Sequence, residues 1–295
     1  MPARTRPRRS ALYVPGSNAR ALDKGRQIAT DVLILDLEDA VAPDDKETAR
    51  AAVAAAAGAH AYGRREVVIR VNGLETPWIA RDIAAAVGAR PDAVLIPKLS
   101  RVEDLRRARA ALMAAHAPAG LTLWAMIETP LAVLNVSAIA AVAVGPGVPL
   151  TCLVIGTNDL ARSSGARIKP GRAALMPWLA QCVLAARAND IAVLDGTFND
   201  MTDWKGFQAE CEQGRDLGMD GKTLIHPRQV PIANEAFSPS TEEVTWAGKV
   251  VSAFARPENA DKAVITVDGQ MVERLHEQIA QRVLETATAI LPPED

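Results

Sequence analysis

Short apolar runs recur eight times along this chain, at residues 11–14, 32–37, 67–71, 93–97, 122–127, 150–155, 191–194 and 222–225. Alanine-rich stretches with helical character separate them. Their starts lie roughly 30 residues apart, the length of one strand-plus-helix unit. Continuous apolar runs suit strands buried on both faces, as in a parallel sheet. Eight such strands alternating with helices over roughly 230 residues predict a closed (β/α)₈ TIM barrel of the α/β class. An open doubly wound sheet is the alternative. No G-x-G-x-x-G follows the first strand, where that fold would carry one, and Gly16 is a lone turn glycine.

Local signals agree with this division. Ser100 and Glu103 have capping-box spacing ahead of a helix over 102–115. Thr129 followed by Pro130 reads as an N-cap and first helical residue. Asp44 and Asp45 precede a helix from Lys46 to about Ala57, and Gly218 stops a helix over 204–217. The barrel is expected to occupy 1–237. Pro239 and Ser240 mark a break, and 238–295 form a small C-terminal extension, a lid or an oligomer contact. Within it the pattern predicts a helix over 241–254, a polar linker at 259–261 and a β-like run at 264–267. A turn at Asp268-Gly269 and an amphipathic helix over 271–289 complete it.

In a barrel of this kind the active site lies where the strands end. The second run ends in Asp36, Glu38 and Asp39; the third in Arg70 and Asn72; the fourth in Lys98; the fifth in Glu128. The sixth leads to Asn158 and Asp159, the seventh to Asp195 and the eighth to His226. Loops are polar in any case, which accounts for Lys98 or Asp195 taken singly. It accounts less well for Glu128 and Asp159, which close apolar strands. Clustered carboxylates repel unless a cation sits among them. Oxygen ligands without cysteine or paired histidine favour a hard ion such as Mg²⁺. Asp36, Glu38 and Asp39 admit three roles: support behind a metal, direct ligation, or a salt-bridge cluster bracing the mouth. Arg70 is either their partner or the group that holds a carboxylate or a developing enolate.

The remaining composition excludes several classes. With 23% charged residues and a net charge of -2, nothing in the electrostatics calls for nucleic acid. Arg4, Arg6, Arg8 and Arg9 form a short basic tail that reads as a solvated terminus. Cys152, Cys182 and Cys211 are too far apart for a metal motif and read as small core residues in a reducing cytoplasm. His60, His116 and His276 read as solvent-facing. No run suggests a membrane span or a secretory signal.

Taken together, several stretches resemble the citrate lyase beta-subunit and malyl-CoA lyase family. They are Arg9-Ser10-Ala11-Leu12-Tyr13-Val14-Pro15-Gly16, Leu35-Asp36-Leu37-Glu38-Asp39, Arg70-Val71-Asn72, Ile96-Pro97-Lys98, Ile127-Glu128-Thr129, Gly156-Thr157-Asn158-Asp159-Leu160 and Lys222 through His226-Pro227-Arg228-Gln229. Their order and spacing, from about Arg9 to Val230, carry the likeness. It implies Mg²⁺ on Glu128 and Asp159, and substrate contact by Arg70. It also implies that the amides of Gly156, Thr157, Asn158 and Asp159 approach a 2-oxo acid. Arg9, Lys98 and Arg228 would hold coenzyme A phosphates. Members acting on CoA esters carry a Gly-x-Met-(Ile/Val)-Asp lid whose acid serves a neighbouring site; here the run is Gly269-Gln270-Met271-Val272-Glu273. A Glu in place of Asp shifts the carboxylate by one methylene.

The function so implied is Mg²⁺-dependent C–C cleavage of a 3-hydroxyacyl thioester to an acyl-CoA and a 2-oxo acid, in a trimeric or hexameric homo-oligomer. Arg70, Glu128, Asp159, Asp36, Glu38, Asp39 and Glu273 are the catalytic candidates. A malyl-CoA thioesterase or malate-synthase-like enzyme is the second reading. A carrier-dependent, non-catalytic subunit of a citrate lyase complex is the third.

Overall fold

The computed structural model describes residues 6–290. Eight parallel strands close into a barrel in sequence order: β1 (Ser10–Pro15), β2 (Val32–Asp36), β3 (Glu66–Arg70), β4 (Ala93–Ile96), β5 (Thr122–Ile127), β6 (Leu150–Ile155), β7 (Ala192–Asp195) and β8 (Gly221–Leu224). The β8–β1 pairing, with Ala11 opposite Thr223, completes the ring and excludes the open sheet. The chain separates into two compact units, Arg8–Phe237 and one that takes in the stretch from Ser238. Among the described residues no helix is long and apolar enough to cross a membrane.

Side chains alternate along each strand, so one parity fills the barrel and the other meets the helices. Ala11, Ile34, Val68, Leu95, Trp124, Met126, Cys152, Val154 and Leu194 form the interior. Leu12, Leu33, Leu35, Ile69, Ile127, Leu153 and Val193 form the larger layer between strands and helices. Cys182 and Cys211 are buried in that outer layer, so all three cysteines are core residues.

Parity also decides where the charged strand ends point. Asp195 follows the inward Leu194 and therefore faces the helix layer, not the mouth. It is fully buried there and accepts from Arg172 Nη1 at 2.8 and 2.9 Å and from Lys222 Nζ at 2.8 Å. Lys222 also donates to Glu210 at 2.7 Å. Burial would raise the Asp195 carboxyl, but the two cations outweigh it and hold it low.

The basic N-terminus is not a solvated tail over its described part. Arg8 is buried, donates to Glu66 at 2.7 and 2.8 Å, and lies over the Trp124 ring at 4.9 Å. Because Arg8 precedes β1 and Glu66 opens β3, this pair sits at the strand beginnings and closes that end of the interior. Arg9 pairs with Asp31 at 2.8 Å at the same end. Arg4 lies outside the described residues.

Two local readings are corrected. The helix Val102–Ala114 is capped by Asp104, whose carboxylate accepts from the Ser100 and Arg101 amides at 3.0 and 2.9 Å. Glu103 points elsewhere, and Ser100 Oγ bonds Thr129 Oγ1 at 2.8 Å. In the C-terminal unit, Met271 to Glu273 are not helical. They belong to β10 (Gln270–Glu273), antiparallel to β9 (Val264–Val267), and the helix is Arg274–Ile290. Asp268 and Gly269 both take positive φ, 48° and 79°, which is what a tight two-residue hairpin requires. The hairpin buries Ile265, Val267 and Val272 against Ala247, Val250, Phe254 and Ala280.

The buried ion cluster gives a stability test. Lys222→Met leaves Asp195 and Glu210 with Arg172 as their remaining cation in a dry layer, and removing one partner of such a network costs about 3–5 kcal/mol. The urea midpoint of Lys222→Met should fall accordingly; an unchanged midpoint would show that the cluster contributes nothing net.

Candidate active site

A cavity of about 300 Å³ opens at the C-terminal ends of the barrel strands, lined by Tyr13, Asp36, Asp39, Arg70, Met126, Gly156, Asn158, Asp159, Thr197, Asn199, Thr223 and Ile225 among others. Arg70 is its central charge. Being two residues after the inward Val68, it points into the barrel. Its Nε and Nη2 each donate to one Asp36 oxygen at 2.6 Å. Nη1 lies 2.9 Å from Glu38 Oε2 as an ion pair and 3.8 Å from Met126 Sδ. The guanidinium stacks on the Tyr13 ring at 4.7 Å.

The three acids after β2 take three different positions. Asp36 is fully buried and accepts four hydrogen bonds, two from Arg70 and two from the amides of Glu38 and Ala40 at 2.9 and 3.2 Å. Four bonds saturate a carboxylate. Asp36 is therefore a clamp for Arg70 and has no oxygen left for a metal. Burial would raise its pKa, but the Arg70 charge and hydrogen bonds pull it below the usual carboxylate range. Glu38 is buried, and Lys98 Nζ donates to its Oε1 at 2.6 Å. Burial nonetheless pushes this carboxyl up, against the pull of Arg70 and Lys98. Asp39 is exposed at the rim, 3.8 Å from Arg70 Nη1 and 4.0 Å from Lys98 Nζ.

Glu128 extends the inward row of β5, after Trp124 and Met126, and is 1% exposed. Its Oε1 accepts the Lys98 amide at 2.6 Å. Lys98 reaches that geometry in a left-handed conformation, φ 57°, uncommon for a residue with a side chain. Glu128 Oε2 finds no hydrogen-bond partner within the chain. Gly156 is what keeps this oxygen clear. A Cβ there would lie 2.9 Å from Oε2 and 2.5 Å from the Glu128 Cβ. Burial first, then the charges of Glu38 and Asp159, push the Glu128 carboxyl up to about 7.

Asp159 lies in the first turn of the helix Thr157–Ser164, a quarter exposed, paired with Arg162. Buried Thr157 opens that helix, whose N-terminus faces the mouth; amides there attract anions. Asn158 forms a reciprocal amide pair with Asn199 at 2.8 and 3.2 Å and reaches Thr197 Oγ1 at 3.3 Å.

The structure thus brings Asp36, Glu38, Asp39, Arg70, Lys98, Glu128, Gly156, Thr157, Asn158 and Asp159 together. Within the barrel unit it separates two other candidates, Arg9 and His226. Arg9 is at the opposite end of the barrel, because it precedes β1. His226 follows the inward Ile225 and points away, its Nδ1 accepting the Arg228 amide at 3.1 Å. Glu273 ends β10 in the C-terminal unit. Tyr13, Thr197 and Asn199 were not among the predicted site residues. The signal for Tyr13 was its parity with the inward Ala11; Thr197 and Asn199 sit on a loop with no periodic pattern.

Among the described residues, no three His, Cys, Asp or Glu side chains lie at metal-ligand spacing. Glu128 and Asp159 nonetheless fit one hard cation: Glu128 is buried with an oxygen unsatisfied, and the charge of Asp159 bears on it. Glu38 also keeps a buried oxygen without a hydrogen bond, but it is already ion-paired with Arg70 and Lys98.

Comparison with known proteins gives a consistent set of likenesses. A family model described as HpcH/HpaI aldolase/citrate lyase matches residues 9–227. A (3S)-malyl-CoA thioesterase of Cereibacter sphaeroides is 47% identical over 284 residues, 96% of each chain. An L-malyl-CoA/beta-methylmalyl-CoA lyase of the same species is 32% identical over 309 residues, 97% of this chain and 96% of that one. The structure of CitE from Mycobacterium tuberculosis in complex with magnesium, acetoacetate and coenzyme A is similar at TM-score 0.74 and 27% identity, covering 95% and 97% of the two chains.

Glu128 predicts a pH dependence. Its carboxyl is protonated in folded and unfolded chains alike below the ordinary 4.5; between there and about 7 the folded chain alone keeps the proton. Stability relative to Glu128→Gln is then full at low pH and falls as pH rises through 7, by roughly 3 kcal/mol in all. Denaturant titrations of EDTA-treated wild type and Glu128→Gln at several pH values measure this, and a pH-independent difference would refute it.

Proposed function

The chain belongs to the HpcH/HpaI aldolase/citrate lyase family, and from that footing we propose that it is an enzyme hydrolysing a malyl-type thioester of coenzyme A at the barrel mouth. The 47% identity to a (3S)-malyl-CoA thioesterase, spread over 96% of both chains, carries the choice of reaction. It reverses the order that the motifs alone suggest, in which C–C cleavage comes first.

Glu128 and Asp159 would hold Mg²⁺, with water and substrate supplying further oxygens. Bound there, the ion would anchor the hydroxy-acid end of the substrate and polarise its oxygens. Supporting this are the unsatisfied Glu128 oxygen and the magnesium in the CitE complex.

The chain's own groups divide the remaining work. The amides at the start of Thr157–Ser164 receive the substrate carboxylate. Arg70 Nη1 offers a fixed positive charge to the thioester carbonyl oxygen as it becomes negative. Asp39, the acid of the trio that is neither saturated nor buried, takes a proton from the attacking water. The water oxygen bonds to the carbonyl carbon, and the carbonyl electron pair moves to the oxygen beside Arg70. When that pair returns, the C–S bond breaks, and the departing thiolate recovers the proton from Asp39. Coenzyme A and an intact hydroxydicarboxylic acid are released. Lys98, half-exposed at the rim, adds positive charge facing the anionic cofactor tail. The catalytic assignment of Glu273 and a trimeric or hexameric assembly rest on the family resemblance.

C–C cleavage to an acyl-CoA and a 2-oxo acid is the second reading, favoured by the 32% identity to a malyl-CoA lyase over 97% of this chain. Arg70 would then face an enolate oxygen in place of a tetrahedral one.

Product analysis of purified protein with malyl-CoA, with and without Mg²⁺, separates the two. Free coenzyme A and malate, formed in a metal-dependent way, are expected; acetyl-CoA and glyoxylate would establish the lyase, and inactivity on every CoA ester would favour a carrier-bound substrate. Asp159→Asn should lower Mg²⁺-dependent kcat/KM by about 100-fold or more, since even residues that merely orient metal ligands contribute about 10–100-fold. A fully active Asp159→Asn protein would defeat the metal assignment.

A further inference from the structure

Tyr13 combines two features that packing alone does not require. Its ring is the platform under Arg70, at 4.7 Å. Its hydroxyl is buried, finds no hydrogen-bond partner within the chain, and belongs to a side chain lining the cavity. The stacking would be served as well by phenylalanine, because the ring face makes it. The hydroxyl is a desolvated donor that gains nothing in the free protein, and such groups are uncommon in cores.

Several of the other groups lining the cavity are engaged with one another. Asp36 already accepts four hydrogen bonds, and Thr223 Oγ1 donates to the Asp195 carbonyl at 2.9 Å. Asn158 and Asn199 bond each other. Among the described residues lining the cavity, the Tyr13 hydroxyl is the buried polar atom left without a partner. The oxygens Glu38 Oε2 and Glu128 Oε2 are unpartnered as well, but neither bonds the hydroxyl, which leaves a bound ligand as the source of its acceptor.

We propose that Tyr13 is a catalytic residue whose phenolic O–H donates to the thioester carbonyl oxygen as negative charge develops there, on the same side as Arg70. The assignment rests on the thioester reading above and adds a second, neutral donor to it. Burial pushes the phenol well above its ordinary value, and the charges of Asp36, Glu128 and Glu38 push it the same way against Arg70. Tyr13 thus stays an O–H donor and does not act as a base. A cation and a neutral donor on one oxygen is a division suited to charge that appears only in the transition state.

The test is Tyr13→Phe, which keeps the ring and removes one oxygen. Expected is a fall in kcat of about 100-fold, the scale set by loss of one preorganised oxyanion donor. KM should stay within about threefold, and the thermal midpoint should be unchanged or higher, because an unpartnered buried hydroxyl has been removed. Unchanged kcat, or a loss confined to KM, would overturn the assignment. So would a fall in kcat accompanied by a lower midpoint, which would make the hydroxyl structural. Wild-type products are identified in the same assay. If they are acetyl-CoA and glyoxylate, the hydrolytic reading fails, yet the comparison still decides Tyr13, since that cleavage also leaves charge on the thioester oxygen.

Discussion

Arg70 is gripped on three sides, by both oxygens of Asp36, by Glu38 and by the face of Tyr13, and the mouth of the barrel is organised around that immobile charge. A guanidinium buried this deeply is tolerable only because a paired carboxylate takes two of its donors in fork geometry. The clamp has a consequence for chemistry. Preorganised charge catalyses because it need not reorient when the substrate's charge changes. Asp36 is accordingly best understood through Arg70, and its conspicuous position at a strand end reflects that task and not metal binding.

A second consequence concerns acids that the clamp does not neutralise. Glu38 is tied to Lys98 and Arg70, so its repulsion of Glu128 is tempered but not removed. Glu128 is left with one amide bond, one unsatisfied oxygen and a carboxyl displaced upward. The left-handed Lys98 backbone and the missing side chain at Gly156 both serve that one carboxylate, one by aiming an N–H at it and the other by leaving its second oxygen open. Strain and space spent on a single acid are features of a site shaped for an electropositive partner.

Much of this was legible in the residues, and where it failed the reason is geometric. Counting strand ends found the barrel and gathered eight of the site residues, since apolar runs of strand length can do little else in an α/β chain; Gly156 and Thr157 came from the family resemblance. Counting alone could not tell Glu128 from Asp195, because both end apolar strands. Alternation could: Trp124, Met126 and Glu128 share a parity, while Asp195 breaks step with Ala192 and Leu194 and turns to Arg172 and Lys222. His226 is lost by the same rule. Arg9 was misplaced because a motif can be continuous in sequence across β1 while its two ends lie a strand length apart. Met271 to Glu273 read as helix because their spacing fits both periods; the paired positive φ values at Asp268 and Gly269 are what resolve it into a hairpin. Thr197 and Asn199, on an irregular loop, carried no periodic signal at all.

Hydrolysis and C–C cleavage ask almost the same things of this mouth, which is why one family can contain both. Each needs the hydroxy-acid end anchored and the thioester oxygen met by positive charge. They part over which atom is free to move next to the carbonyl carbon: a water in one case, the α-carbon's own bond in the other. The groups that would decide this are at the rim, where Asp39 is exposed and lightly paired, and not in the buried set of Asp36, Glu128 and Arg70. Divergence at that level changes few residues and leaves the interior clamp intact. It follows that the buried motif, which both reactions share, does not choose between them, and that the choice is made among the rim groups around Asp39.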